Sequence, residues 1–201
     1  MEISTLKFII TDEPNSNKMT LRNTNTPLLL TLMLTISISA SALAQSQRKV
    51  EEIRADAREA KEEFLKADWK MEKHFKNAYG YVIFPNVGKG AIGIGGAAGN
   101  GVAYEQGEEI GMAKLTQVSL GFQWGGQAYR EIIFFENKAA MDDFKANKVE
   151  LSAQVSAVAA TAGASADANY KDGVMVFTMQ KGGLMYEASV GGQKFKFEPF
   201  E

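Results

Sequence analysis

The chain has 201 residues, of which 45% are hydrophobic and 23% charged, and its formal net charge is −2 at pH 7. This composition is typical of a globular protein with enough apolar residues for a core. A nucleic-acid-binding protein would carry a surplus of Lys and Arg, which this chain lacks. Because it has no cysteine and a single histidine, disulfides, cysteine nucleophiles and thiolate or multi-histidine metal sites are excluded, and no cofactor is expected.

The N-terminal region has the pattern of an export signal. Lys18 and Arg22 precede an uncharged, mostly apolar run at residues 28–38, and Ala42-Leu43-Ala44 follows it. A basic start, an apolar stretch of about 7–15 residues and a small-x-small site are typical of a secretory signal peptide. The run is shorter than the roughly 20 apolar residues of a spanning helix, which disfavours the alternative of an uncleaved anchor.

The expected mature protein is therefore one domain, residues 45–201, exported to the periplasm and either free there or peripheral on a membrane. Residues 1–18 are polar and fit no part of a signal peptide well. Met19 is for this reason an alternative start to Met1, and both starts leave the same mature domain.

From Gln45 to about Asn77 the pattern predicts one amphipathic helix. Its apolar residues recur at spacings of three and four, which places them on one stripe: Val50, Ile53, Ala57, Ala60, Phe64, Ala67 and Met71. A stripe with three alanines and barely three heptads favours packing on a sheet over the alternative of a coiled coil. Basic residues flank one side of the stripe, namely Arg54, Arg58 and Lys61, and acidic residues flank the other.

Beyond Tyr79, glycine and β-branched or aromatic residues dominate, and short strands with tight turns are predicted. The strands are expected at residues 81–84 (ended by Pro85), 118–124, 131–135, 149–160, 173–178, 184–190 and 194–197, with a short helix at 138–146 and a loop at 161–170. The predicted fold class is α+β: a long N-terminal amphipathic helix packed on a curved, mainly antiparallel β-sheet, with one short additional helix.

The segment Gly88-Lys89-Gly90-Ala91-Ile92-Gly93 matches the G-x-G-x-x-G fingerprint of dinucleotide-binding proteins. That fingerprint needs a βαβ unit in which the last glycine opens a helix, whereas here further glycines follow as far as Gly101 and oppose helix formation. Two interpretations stay open. The glycines either allow a sheet to bend tightly around small residues, or they form a ligand surface where exposed amides and Lys89 meet an anionic head group.

Catalytic groups do not stand out in the sequence. His74 lies at the end of the predicted helix without a visible partner for metal or acid–base work, so a capping or packing role is expected. No G-x-S-x-G motif occurs, and the acidic residues are dispersed or lie on the polar faces of the helix. Enzyme activity is therefore not expected.

Several segments together resemble the SYLF family. Residues 80–85 (GYVIFP), then Gly88-Lys89-Gly90 and the glycines as far as Gly101, resemble the opening of a SYLF domain. Residues 119–127 (SLGFQWGGQ), with the apolar strand and short helix that follow them, are similar to its middle. The resemblance covers about Ala55 to Phe197, and its specificity comes from the order of the motifs rather than from any one of them.

The resemblance implies binding rather than catalysis. Eukaryotic members of this family bind phosphoinositide-containing membranes and some bind actin filaments, whereas exported bacterial members are described mainly as lipid-binding. This chain has the export signal and no SH3 or FYVE module, so actin is not an expected partner and the resemblance does not identify the lipid.

The function expected from the sequence is non-enzymatic binding of anionic phospholipid or phosphoinositide-type head groups at a membrane surface in the bacterial envelope. The alternative is an envelope scaffold or protein-interaction module without a lipid ligand. The expected lipid-binding residues are Gly88, Lys89 and Gly90, with Arg54, Arg58 and Lys61 adding about 1 kcal/mol each near an anionic surface. Neither nucleic acid nor metal is an expected partner.

The signal-peptide interpretation is tested in the native host. We expect N-terminal sequencing of protein from the periplasmic fraction to begin at Gln45, because signal peptidase cleaves after small-x-small sites. A sequence that begins at Met1 or Met19 would contradict it.

Overall fold

The computed structural model describes residues 26–89, 96–118, 128–151, 157–181, 190 and 192–200, and the side chains of these residues except 26–43, 89 and 118. The chain divides into two compact units, Met1–Ala44 and Gln45–Glu201. The described part of the first unit is the beginning of helix α1, Thr26–Ala67. Among the described residues there is no helix that is both long and apolar enough to span a membrane.

The second unit continues α1 and adds the remaining helices and strands. After α1 come a 3-10 turn, Trp69–Met71, the helix α2, Glu72–Asn77, and the strands β1, Gly80–Lys89, β2, Gly96–Glu105, β3, Glu108–Val118, and β4, Ala128–Phe135. They are followed by α3, Lys138–Lys145, the short strands β5, Glu150–Leu151, and β6, Val158–Ala159, a 3-10 turn, Ala164–Asp167, and the strands β7, Val174–Gln180, and β8, Gln193–Pro199. The predicted α+β class is confirmed.

The prediction of one continuous helix as far as Asn77 is wrong, because α1 ends at Ala67. Asp68 adopts an extended conformation with φ −144°, and its side chain accepts a hydrogen bond from the backbone N–H of Lys70. Asp competes with the helix by forming such local bonds and is favoured at caps for this reason. The chain therefore turns at Asp68 and begins a new helix at Glu72.

Helix α1 packs on one face of the sheet through the predicted stripe. Ala57, Ala60 and Phe64 are completely buried and form one apolar cluster with sheet residues that include Tyr81 and Ile83. The small alanine side chains allow the helix backbone to lie close to the strands. Packing of the helix on a sheet is confirmed, and the coiled coil is not the structure formed.

In the described part of the chain the strands form one sheet of eight, in the order β5-β8-β3-β2-β1-β4-β7-β6. Neighbouring strands are antiparallel except for β6 and β7, which are parallel. The sheet is strongly curled, since Gln193 on β8 donates a 2.9 Å hydrogen bond to Glu131 on β4 although three strands lie between them. Only five residues join Leu151 on one edge to Ala157 beside the other, and such a segment spans at most about 20 Å.

Alternate residues of each strand face opposite sides of the sheet. On β1, Val82 and Phe84 lie in the concave interior, whereas Tyr81 and Ile83 face α1. Helix α3 packs against the interior cluster through the buried Phe144. The core therefore has two parts, one inside the curled sheet and one between the sheet and α1.

The predicted strands at 131–135, 173–178 and 194–197 lie within β4, β7 and β8. The prediction that Pro85 ends the first strand is wrong, since β1 continues to Lys89 with a register shift between Ile83 and Asn86. Strands β2 and β3 were not predicted, because glycine in β2 and charges in β3 obscure the alternation. The predicted loop at 161–170 contains the short turn Ala164–Asp167.

Some predictions fall partly outside the described residues. These are the strand beyond Val118, most of the strand at 184–190 and the middle of the segment at 149–160. The described ends of that last segment pair with different strands, β5 with β8 and β6 with β7. It therefore connects the two edges of the curled sheet.

The glycines of β1 and β2 differ in what surrounds them, which gives a matched test. A Cβ at Gly101 would overlap the carbonyl oxygen of Ile83 and lie 2.7 Å from Cδ1 of Phe84, whereas a Cβ at Gly88 would meet nothing within 4 Å. We expect Gly101→Ala to lower the free energy of unfolding by about 1–3 kcal/mol through overpacking. Gly88→Ala is expected to change it by less than about 0.5 kcal/mol. Denaturant unfolding measures both, and equal effects would contradict the assignment of Gly101 to close packing.

Candidate functional site

A hydrogen-bonded junction fixes the corner between α1 and α2. Asp68 is 1% exposed, and its carboxylate accepts a 2.8 Å hydrogen bond from the backbone N–H of Ser165. Burial opposes ionisation of Asp68, but the backbone N–H groups of Ser165 and Lys70 outweigh it and hold the pKa of Asp68 below its usual value. Nε2 of His74 lies 2.8 Å from the carbonyl oxygen of Ser165. The two 3-10 turns are thereby held against each other.

His74 has the packing role that the sequence predicts. Its ring lies against Phe134 and Phe177, with centroid distances of 5.8 and 5.7 Å. The side chain is buried, and among the described residues no group of three or more His, Cys, Asp or Glu side chains is arranged to hold a metal ion.

The rigid corner presents an exposed indole among lysines. Trp69 is 73% exposed, and within the described residues it is the large hydrophobic side chain that stays in solvent. It lines an open groove together with Lys70, Lys73 and Lys76; these four residues are called the tryptophan corner below. Glu72 also lines the groove and pairs with Lys76 at 2.7 Å, so the corner keeps an excess of positive charge.

A second basic surface lies on the sheet beside the middle of α1. Lys114 on β3 and Lys196 on β8 are direct cross-strand partners, and both line a groove with Lys49 of α1. Lys194 follows on the same face of β8, and these four residues are called the lysine face below. Like charges placed opposite each other on a sheet are destabilising, and Glu198 and Glu150 offset part of this by pairing with Lys196 and Lys194 at 2.6 and 3.6 Å.

The predicted residue Gly88 is aligned with this lysine face. Gly88 pairs with Ala98 on β2, Ala98 with Thr116 on β3, and Thr116 with Lys194 on β8. The space above Gly88 is open, so close packing does not explain its glycine. The backbone of Lys89 lies next to it in β1, whereas the side chain of Lys89 and the whole of Gly90 lie outside the described residues.

The predicted basic flank of α1 faces the sheet. Arg54 and Arg58 both contact Glu109 on β3, the second at 3.4 Å, and hydrogen bonding to Glu109 raises the pKa of Arg54 above its usual value. Lys61 donates a 3.0 Å hydrogen bond to the hydroxyl of Tyr81. The three basic side chains that were predicted to bind lipid are therefore already partly engaged in contacts within the protein.

The structure also separates this flank from Gly88. Glu109 lies opposite Tyr104 on β2, and Ala98 lies opposite Gly88. Six residues of extended strand separate Tyr104 from Ala98, which is about 20 Å. The six predicted residues therefore do not form a single site, and their role in lipid binding stays a prediction.

A buried polar cluster in the sheet interior was missed by the sequence analysis. Glu131 is completely buried, and Nε2 of Gln193 donates to its Oε2 at 2.9 Å and to the hydroxyl of Tyr129 at 3.3 Å. Burial raises the pKa of Glu131 to about 8, and the hydrogen bond from Gln193 offsets only part of that shift. The signal in the sequence was a lone acidic residue at the head of an apolar strand.

Two comparisons with known proteins agree with the resemblance seen in the sequence. Residues 116–199 match the Ysc84 family, described as Las17-binding protein actin regulator. A protein of Aeromonas veronii named Beta cell expansion factor A is 31% identical over 123 residues, which cover 60% of this chain and 46% of that protein. The chain thus spans about half the length of this relative.

The fold is that of an α+β domain, and the family that it matches is a family of binding domains. The match of residues 116–199 to the Ysc84 (SYLF) family confirms the resemblance to the SYLF family.

The raised pKa of Glu131 predicts how stability depends on pH. The folded state holds a proton on Glu131 up to about pH 8, whereas the unfolded state releases it near 4.5, so stability falls as pH rises through this window. Glu131→Gln removes the titration. Relative to this variant, we expect the wild type to lose on the order of a few kcal/mol of unfolding free energy between pH 5 and 8. If the unfolding free energies of the wild type and of Glu131→Gln change with pH in parallel, the proton on Glu131 is not retained on folding.

Proposed function

We propose that the protein is a non-enzymatic binding protein that attaches to anionic lipid head groups at a membrane surface of the bacterial envelope through the tryptophan corner. The observation that carries this proposal is the exposed indole of Trp69 among three lysines, on a turn that Asp68 and Ser165 hold rigid. Covering so large an apolar side chain on binding is favourable by about 25 cal/mol per Å² of apolar surface removed from water.

The chemistry of the corner matches the membrane interface better than it matches a soluble anion. An indole has an apolar body and a polar N–H, and tryptophan is enriched where lipid tails meet head groups. Each lysine near an anionic membrane contributes about 1 kcal/mol. Because the turn is already ordered, binding costs little conformational entropy.

The lysine face supplies a second attraction on the same domain. Opposed lysines such as Lys114 and Lys196 repel each other in the free protein, and an anionic group between them would relieve the repulsion. Gly88 lies on the adjoining row of strand residues. Gly88 of the proposed Gly88-Lys89-Gly90 site therefore shares a row of strand residues with Lys194, which was not among the predicted residues.

The description of the matched family names Las17 binding and actin regulation, which belong to that family's named members. A protein scaffold without a lipid ligand is the alternative for this chain, and salt distinguishes the two. Electrostatic attachment to lipid weakens as ions screen the lysines, whereas an apolar protein interface responds little.

The proposal is tested with the full chain and liposomes of anionic and zwitterionic lipid. We expect Trp69→Ala to weaken binding to anionic liposomes at least about fivefold. Replacing Lys70 and Lys76 together by glutamine is expected to weaken it roughly 30-fold, since each lysine contributes about 1 kcal/mol. The matched control replaces Lys138 and Lys148, which are 67% and 71% exposed; Lys138 begins α3 and Lys148 follows three residues after its end. Co-sedimentation at two salt concentrations measures all of them.

Fluorescence adds a direct readout of insertion. In a Trp124→Phe background Trp69 is the remaining tryptophan, and its emission is expected to shift to the blue on anionic liposomes only. Lys89→Glu in the same assay tests the predicted glycine-flanked site. If the corner variants and the control variant bind alike, with no shift of Trp69 emission, the tryptophan corner is not the membrane contact.

A further inference from the structure

The concave interior of the sheet ends in a group of polar side chains that the membrane contact does not use. Glu131 on β4 and Thr178 on β7 are direct cross-strand partners, and Gln193 on β8 donates a hydrogen bond to Glu131. All three are completely buried, and Tyr129 beside them is 3% exposed. These four residues are called the interior polar cluster.

Three oxygens of the cluster lack a hydrogen-bond partner within the described part of the structure: Oε1 of Glu131, Oγ1 of Thr178 and Oε1 of Gln193. Burying a polar group without a hydrogen bond costs about 1–3 kcal/mol, and more for a charged one. Native proteins rarely leave such groups unpaired, so three on one interior face require an explanation. A ligand that donates hydrogen bonds provides it.

The oxygens restrict the chemistry of this ligand. All three accept hydrogen bonds, and one belongs to a carboxylate, so the ligand carries donors and a positive charge. Ca²⁺ takes six to eight oxygens and Mg²⁺ needs an octahedral set, more than the four side chains of the cluster supply. A primary ammonium group has three N–H donors and one positive charge, which matches the three oxygens and the single carboxylate.

We infer that the interior polar cluster binds the primary ammonium group of a small amine, either free in solution or as the head group of a membrane lipid. The lipid source rests on the proposed function, whereas the free amine does not. Hydrogen bonds between an ammonium and a carboxylate are among the strong ones in proteins.

The position of the cluster within the sheet determines which way the rest of the amine would point. Gln193 is the first residue of β8, Glu131 the fourth of β4, and Thr178 the third from the end of β7. All three therefore lie near one end of the curled sheet, while Phe135 and Phe144 fill the interior farther along. The carbon chain of the amine would point away from Phe135 and Phe144.

Binding is expected to release a proton. With the cluster empty, burial keeps Glu131 protonated at pH 7 because its pKa is raised to about 8, and an ammonium requires it ionised. The described residues that face it are uncharged: Phe84 on β1 and Thr178 on β7 are its strand partners. Gln193 on β8 donates to it, and Gln117 on β3 is the strand partner of Gln193. Tyr129 on its own strand has a raised pKa and stays neutral. Affinity should therefore rise about 50-fold between pH 6 and 8.

The test uses two ligands that differ only in N–H donors. Calorimetry of the full chain with ethanolamine and with choline compares a primary ammonium with a quaternary one of equal charge. A second arm compares liposomes of one anionic content whose remaining lipid is phosphatidylethanolamine or phosphatidylcholine. We expect ethanolamine, its lipid, or both to bind at least tenfold more tightly than the choline counterpart. A preference in the free-ligand arm identifies a soluble amine, and a preference confined to liposomes identifies a lipid head group.

Two variants connect this preference to the cluster. Glu131→Gln keeps the shape and removes the charge, and Thr178→Val removes one acceptor; each is checked for folding by circular dichroism. We expect at least a tenfold loss of ethanolamine affinity for Glu131→Gln and a smaller loss for Thr178→Val. If Glu131→Gln does not fold, Thr178→Val alone tests the inference. Binding to anionic phosphatidylcholine liposomes should stay unchanged in both, whereas Trp69→Ala should leave ethanolamine binding intact. Equal binding of the ethanolamine and choline compounds in both arms, or a preference that survives in the variants, overturns the inference.

Discussion

The close approach of β2 to β1 is the constraint on which the rest of the structure depends. Gly101 has room for no side chain against Ile83, and Gly99 is nearly as confined beside Asn86. Strands that approach this closely bend the sheet, and the bend brings Gln193 from β8 across the interior to Glu131 on β4. The same curvature leaves an outer face on which α1 packs. The glycine-rich segment is thus first a structural device, and Gly88, with open space above it, is the exception.

Packing of α1 on the outer face of the sheet determines which partners the charged side chains of the helix meet. Because the alanines of α1 bring the helix close to the strands, Arg54 and Arg58 meet Glu109 and are held there. Exposed lysines lie at two places along this part of the chain. Lys49, in the middle of α1, joins the lysine face, and the turn after Asp68 carries the tryptophan corner.

Local patterns in the sequence were sufficient for the fold class and for the buried stripe of α1, because a helical period is visible within a few turns. The end of α1 was not predicted, since Met71 continues the apolar period past Asp68. The hydrogen bonds that Asp68 accepts from Lys70 and, across the fold, from Ser165 explain the break. Lys114 opposite Lys196, and Glu131 beside Gln193, depend on strand register and curvature across more than sixty positions. No local pattern contains that information, so the candidate sites were less predictable than the fold.

The pairing of β8 with β3 has a consequence for how the chain folds. These neighbours lie about 80 positions apart in the sequence, and chains with such distant contacts fold slowly, because loop closure precedes the contacts that repay it. Without β8 the interior lacks Gln193 and Phe195, so the strands made earlier cannot complete their core. Completion of the sheet therefore waits until β8 pairs with β3, and the earlier strands stay without a closed core up to that point.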